Sequence, residues 1–210
     1  MDILIATGNA GKAKEFREML GSDGIAWRDL STFRQLIPVE ETGTTFQENA
    51  SLKATGYATQ AKMWALADDS GLEVDALGGS PGVYSARWAE KNHTGIGDAA
   101  NNATLLKQLR DVPDDKRTAR FVCVLALADE TGRIVLTARD SMEGRILHAP
   151  RGSNGFGYDP LFLVENLGKT TAELDPDEKH RISHRGKALR KLRESMKEAA
   201  IGKHSPLPRM

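Results

Sequence analysis

Short apolar runs alternate along this chain with stretches whose apolar residues recur every three or four positions, a pattern of buried strands interleaved with amphipathic helices. Residues 3–6 (Ile3-Leu4-Ile5-Ala6) read as a first buried strand, and Phe16, Met19 and Leu20 place a helix over residues 11–20. Residues 25–28 are a second strand, and residues 30–43 are irregular. Thr45-Phe46-Gln47-Glu48 has the form of a capping box. It opens a helix extending to residue 62, with Phe46, Ala50, Ala54, Tyr57, Ala58 and Ala61 largely on one face. The apolar run 63–67 then predicts a buried strand that ends in Asp68-Asp69-Ser70, with Gly71 marking a sharp turn or a close approach of backbone.

The second half changes the picture from a parallel to a mixed sheet. Residues 72–77 lead into Gly78-Gly79-Ser80-Pro81-Gly82, a tight loop, and residues 89–97 are polar and expected to be mobile. A helix over 99–109 buries Leu105, Leu106 and Leu109 at its end, and residues 112–117 form a charged loop. Residues 121–128 are the strongest apolar run and hence a central strand. Residues 130–133 turn the chain, 134–138 pair back as a hairpin, and 142–147 add a further strand. A glycine-rich loop with two aromatics follows at 152–160. Asp175-Pro176-Asp177-Glu178 starts a short helix, and Ser183 caps a last one that runs to residue 199 with Leu189, Leu192 and Met196 on its buried stripe. With no repeat and no long linker, residues 1–201 are expected to form a single domain, and residues 202–210, which hold two prolines, a disordered tail.

Composition narrows the function classes. The 210 residues are 40% apolar and 28% charged, as in an ordinary globular protein. Lys+Arg and Asp+Glu are 29 each, and a net charge of zero argues against a general polyanion or nucleic-acid binder while permitting one anionic small molecule held by a few lysines. One cysteine, Cys123, excludes an internal disulfide, and no run approaches a membrane span. With no leader-like pattern at the start, the cytoplasm is the expected compartment.

Three stretches carry candidate chemistry. Thr7-Gly8-Asn9-Ala10-Gly11-Lys12 joins a strand to a helix start, the setting in which free N–H groups and a lysine attract phosphate. Only two residues stand between Gly8 and the Gly11-Lys12 pair, so the spacing is not that of a P-loop, and a plain strand–helix turn is the alternative. Asp68-Asp69-Ser70-Gly71 could hold Mg²⁺, supply a general base, or simply be a turn. In the glycine-rich loop, Phe156 or Tyr158 can stack on a base or pin the loop to the core. Lys53 falls one turn after Asn49, and His184 and Arg185 project from the start of the last helix. All three have solvated surface charge as their alternative.

Taken together in order, Thr7-Gly8-Asn9-x-x-Lys12, Phe46-x-Glu48-Asn49-Ala50, Ala67-Asp68-Asp69-Ser70-Gly71-Leu72, Pro81-Gly82-x-Tyr84-Ser85-Ala86-Arg87, Phe156-Gly157-Tyr158-Asp159-Pro160 and Ser183-His184-Arg185 closely resemble the bacterial inosine/xanthosine triphosphate pyrophosphatases. The likeness runs from the first strand to the last helix. It implies an elongated, two-lobed α/β fold with a long mixed sheet and a cleft between the lobes, a homodimer, and Mg²⁺-dependent hydrolysis of non-canonical purine nucleoside triphosphates (ITP, dITP, XTP) to monophosphate and pyrophosphate. The alternatives are a pyrophosphatase of different base preference and a nucleotide sensor without turnover.

The resemblance also implies roles. Residues 7–12 (Thr7, Gly8, Asn9, Ala10, Gly11, Lys12) match the phosphate loop, with Asn9 and Lys12 reaching the triphosphate. Lys53 matches a second cation, and Asp69 the general base and a metal ligand. Glu40 or Glu41, with a lean to Glu41, matches the other metal-side carboxylate, and Asp68 a helper ligand. Ser70 matches a substrate contact. Phe156, Gly157, Tyr158 and Asp159 match the base loop, and Lys179, His184 and Arg185 the groups at the base edge. An arginine only donates, so Arg185 would favour a 6-oxo purine over adenine.

Overall fold

The computed structural model describes residues 1–21, 24–33, 35–199 and 201. The expected tail, 202–210, lies outside them. In chain order the elements are β1 (Asp2–Ala6), α1 (Ala10–Met19), β2 (Ala26–Asp29), α2 (Phe46–Ala61), β3 (Trp64–Val74), α3 (Trp88–Lys91), α4 (Gly97–Gln108), β4 (Thr118–Ala128), β5 (Ile134–Ile146), β6 (Phe162–Val164), β7 (Lys169–Thr170), α5 (Pro176–Ile182) and α6 (His184–Glu198), with short 3₁₀ turns between several of them. The strands make one sheet in the order β2-β1-β3-β4-β5-β6-β7. β1 is parallel to both its neighbours and every other pair is antiparallel, the mixed sheet that the hairpin predicts.

Two expected boundaries move. The two expected runs, 134–138 and 142–147, merge into one strand, β5, that ends at Ile146, because β4 pairs with it from Thr118 to Ala128; the polar residues between the two runs, such as Asp140, sit on its less buried positions. More consequentially, Asp68-Asp69-Ser70-Gly71 is neither a strand end nor a turn. β3 runs straight through it and pairs with β4 from Ala65 to Val74. Polar residues are stable mid-strand here because cations meet their side chains, a tertiary fact with no signature in local propensity. Of the two readings of Gly71, close approach holds. A Cβ there would lie 2.7 Å from the carbonyl oxygen of Gly82 and collide with Ser85 Oγ.

Alternation along β3 and β4 sorts the core into layers. On one face, Ala65, Ala67, Val122, Val124 and Ala126 pack under Phe46, Ala50, Ala54 and Tyr57 of α2. On the other face lie two clusters. Leu66, Cys123, Leu125 and Leu127 meet Phe16 of α1 and Leu189, Leu192 and Met196 of α6. Farther along the same strands, Leu72, Val74, Ala119 and Phe121 meet Leu105 of α4, Leu109 at its C-terminal cap, and Phe162 of β6. Asp68 and Ser70 stand between these two clusters. β1 leaves the sheet after Ala6, opposite Ala67, so the β1-side edge of β3 is vacant just there. A cavity opens at that spot. Arg117, read as part of a charged loop, is buried and donates to the carbonyl oxygens of Leu109, Ile146 and Leu147, stitching the outer cluster to the loop before β4.

Candidate active site

The cavity, about 300 Å³ in volume, runs from the α2 face of the sheet across the vacant edge of β3 to the α1/α6 face. At one end lie Lys53, Asp69 and Glu41. Thr45 and Glu48 form the expected capping box, which fixes the start of α2, and Lys53 follows two turns on. Its ammonium sits 2.8 Å from Asp69 Oδ1 and 2.7 Å from Glu41 Oε1. Burial alone would lower the Lys53 pKa, but the two carboxylates outweigh it and hold the ammonium above its ordinary value. Burial works the other way on Asp69, lifting its carboxyl above the usual range against the pull of Lys53 and Lys12. Glu41 comes out lowered, because the bond and charge of Lys53 outweigh its burial. Among the described residues, Asp69 Oδ2 is buried with no hydrogen-bond partner. A desolvated carboxylate oxygen left bare is costly, so this atom is built for a proton or a cation.

Asp68 and Asp69 are adjacent in sequence and point to opposite faces of β3. Asp68 takes Lys12 at 2.5 Å and Ser70 Oγ at 2.9 Å on one oxygen, and Arg185 Nε and Cys123 Sγ, both at 3.1 Å, on the other. Burial would raise its pKa, but Arg185 and Lys12 hold it well below the ordinary range. Asp68 anchors cations inside the protein and is not among the residues lining the cavity. Nor are Ala10, Gly11 and Glu40; of the Glu40–Glu41 pair it is Glu41 that lines the cavity. The rest of the expected set, Thr7, Gly8, Asn9, Lys12, Lys53, Asp69, Ser70, Phe156, Gly157, Tyr158, Asp159, Lys179, His184 and Arg185, does line it. Asn9 also caps α1, its Oδ1 accepting from Lys12 N at 3.0 Å.

The other end is built by α5 and α6. Ser183 ends one helix and caps the next, accepting from Gly186 N, and Gly186 is pressed against the carbonyl of His180 so tightly that no Cβ fits. That sharp junction aims Lys179, His184 and Arg185 inward, and all three are buried, not surface charges. Arg185 binds Asp68, Glu15 and, at 2.7 Å, Ser70 Oγ. Lys179 reaches Asp159 at 2.6 Å and Glu15 at 2.8 Å. His184 lies flat on Phe121, ring centroids 5.0 Å apart, and burial followed by the Arg185 charge drives its pKa well below the ordinary value, so the imidazole is neutral. Phe156 rests against Gly11 of α1, where a Cβ would come within 2.7 Å of its ring, with Lys179 and Arg185 over the ring at 5.2 and 5.9 Å.

Glu15 has no place in the sequence reading, yet it bridges Lys179 and Arg185 at this end. It stands one turn after Lys12 and beside buried Phe16, the one signal that pointed to it. Burial would raise its pKa, but Arg185 and Lys179 bring it down to about 2. Asp98 and Ser85 also line the cavity unpredicted, as does Arg87, whose Nη2 is 3.8 Å from Glu41 Oε2.

A mixed-sheet α/β protein whose cavity sets lysines and a bare buried carboxylate at one end, and an aromatic ring with fixed donors at the other, belongs to the class that binds a charged, ring-bearing small molecule. A family model described as the Ham1 family matches residues 3–195, and the chain belongs to that family. It is 53% identical over 196 residues to the dITP/XTP pyrophosphatase of Exiguobacterium sibiricum, covering 93% of this chain and 97% of that one, and 50% identical over 197 residues to the dITP/XTP pyrophosphatase of Pseudomonas aeruginosa, covering 92% and 96%. Among solved structures, a HAM1 protein from Coxiella burnetii superimposes with a TM-score of 0.84 at 43% identity, over 94% of this chain and 99% of that one.

Proposed function

We propose that this protein hydrolyses non-canonical purine nucleoside triphosphates such as ITP, dITP and XTP to the monophosphate and pyrophosphate. The reading is supported by the names of its relatives and carried by one observation: the bare Asp69 Oδ2 beside Lys53 and Glu41, across the cavity from the Phe156 ring. Lys12 and Lys53 neutralise the triphosphate. Asp69 takes the proton of the attacking water through Oδ2. Lys53, bound to Oδ1, holds that carboxylate in one orientation.

The same donor set fits Mg²⁺. Asp69 Oδ2 is unpartnered and Glu41 lies across the same ammonium, both hard oxygen donors. Among the described residues no three His, Cys, Asp or Glu side chains gather as a metal cage, so Asp69 and Glu41 would hold the ion jointly with phosphate oxygens. Bound there, Mg²⁺ would screen phosphate charge and lower the pKa of water. At the base end, Phe156 stacks on the purine, and the N–H groups of Arg185 and Lys179 not held by acids favour the 6-oxygen that adenine lacks. A cytoplasmic homodimer is part of the proposal; sedimentation of the purified chain checks the dimer.

The test is pyrophosphate release from ITP, XTP, dITP, GTP and ATP, with and without Mg²⁺. Release from ITP and XTP well above ATP, lost without metal, is expected. Asp69→Asn should keep nucleotide binding and lose roughly 10²–10⁴-fold in turnover, the usual worth of a general base. Near-normal turnover in that variant removes Asp69 from the mechanism.

A further inference from the structure

Asp98 and Asn102 stand one turn apart on α4, and both reach out of their helix to the same residue of the base loop. Asp98 Oδ2 accepts from Gly157 N at 2.7 Å, and Asn102 Nδ2 donates to Gly157 O at 3.0 Å. We propose that Asp98 and Asn102 are positioning residues that set the Phe156 ring for stacking on the base, on the reading that the cavity takes a purine nucleoside triphosphate.

Gly157 follows Phe156 directly and has φ +61, with nothing within 4 Å of where a Cβ would sit. Glycine is required there for the left-handed backbone, not for space. A residue in that conformation reverses the chain, so the direction of its peptide decides where the Phe156 ring goes. On one side Phe156 N donates to Asp159 Oδ2 at 2.8 Å, and Asp159 is itself held by Thr171 and Lys179. On the other side the hold on Gly157 comes from α4, through both its N–H and its carbonyl. Two bonds of opposite polarity, spaced one helical turn apart, hold the two peptide units that flank Gly157 and so fix its orientation as well as its distance.

The carboxylate in the first turn of α4 goes to the loop. Among the described residues Asn102 Oδ1 is buried and unpartnered while its amide nitrogen holds Gly157. The asparagine forgoes a bond to its own oxygen, as expected where a contact serves the site. Asp98 also lines the cavity, so the clamp sits at the pocket wall.

The experiment compares wild type, Asp98→Ala, Asn102→Ala and Asp98→Asn, each alone and in a Phe156→Ala background. The readouts are KM and kcat for ITP and inhibition by IMP and by inorganic triphosphate, which has no base. A base–aromatic stack is worth roughly 1–3 kcal/mol, so partial misplacement of the ring should weaken IMP about tenfold. Inhibition by inorganic triphosphate should not move, KM should change more than kcat, and Asp98→Asn, which keeps an acceptor, should recover most of the loss. Without the Phe156 ring, Asp98→Ala should have no further effect on IMP, which separates positioning from a direct contact. Equal weakening of IMP and triphosphate, or full additivity with Phe156→Ala, overturns the proposal. Unaltered IMP inhibition in both alanine variants overturns it too. Failure of the wild type to release pyrophosphate from ITP or to bind IMP instead overturns the functional reading beneath it.

Discussion

At the scale of single residues, this protein spends its buried charges in chains, not pairs. Lys12 holds Asp68, Asp68 holds Arg185, Arg185 holds Glu15, and Glu15 holds Lys179, which ends on Asp159. All of these groups but Lys12 are buried, so a member that loses its partner leaves a charge uncompensated. Glu15 is the informative member because it touches two cations and none of the vacant sheet edge. Glu15→Gln should cost about 2–3 kcal/mol at neutral pH, less than the roughly 3–5 for stranding a buried charge outright, since Asp68 and Asp159 still partner Arg185 and Lys179. The sign with pH follows from its lowered pKa. A carboxyl at about 2 when folded and near 4.5 when unfolded adds stability that is complete above the unfolded value and is lost as pH falls through the folded one. Urea unfolding at pH 7 and pH 3 should therefore show the gap between wild type and variant shrinking at the lower pH. A gap that is constant with pH would mean that Glu15 acts by packing alone.

At the scale of elements, the junctions carry the site more than the elements do. Ser183 turns α5 into α6 within one residue, Asn9 turns β1 into α1, and the turn at 82–87 is pressed onto β3 at Gly71. Ser85 locks the last of these: its Oγ accepts from Leu72 N at 2.8 Å and donates to Gly82 O, and its carbonyl accepts from Tyr158 Oη at 2.9 Å. A methyl group at residue 71 would push on a backbone carbonyl that cannot swing aside. Gly71→Ala should lower stability by about 1–3 kcal/mol, the cost of overpacking, with the 82–87 turn displaced. Thermal melting of the purified variant measures this. A melt that matches wild type would mean that the turn yields freely and that its contact with β3 is incidental.

At the scale of the whole molecule, the cavity draws its walls from the outer cluster through Leu72, Phe121 and Tyr158, from the α2 layer through Ala6 and Tyr57, and from α1 and α6 through Lys12, His184 and Arg185. A ligand filling it must therefore stabilise the fold as one unit. At a hundredfold excess over its dissociation constant a ligand adds about 2.7 kcal/mol. For a chain of this size that corresponds to a rise in Tm of roughly 5–10 °C. IMP should produce such a shift, and AMP at the same concentration a much smaller one, because the donors held by Glu15, Asp68 and Asp159 meet no acceptor at its 6-position. Equal shifts for the two would place base selection outside Arg185 and Lys179.

Hydrophobic period, caps and turn residues determined most of the secondary structure, because those signals are local. The capping box at Thr45, the proline-started helix at Asp175, the Ser183 cap and the strand at 121–128 all stand where the sequence put them. The ordered motifs were enough to recognise the family, since residue identity in a fixed order needs no geometry. Tertiary structure alone decided what the polar residues do. It carried β3 through Asp68-Asp69-Ser70-Gly71 where local preference wrote a turn, and it sent two neighbouring carboxylates to opposite faces of the sheet. It buried His184 and Arg185, brought Asp98 to the cavity, and set Glu15 and Asn102 against residues that line it. The physical reason is common to all of these. A buried charge is tolerable only beside its partner, and here the partners lie as many as 170 residues apart, as for Arg185 and Glu15, a separation that no window on the sequence spans.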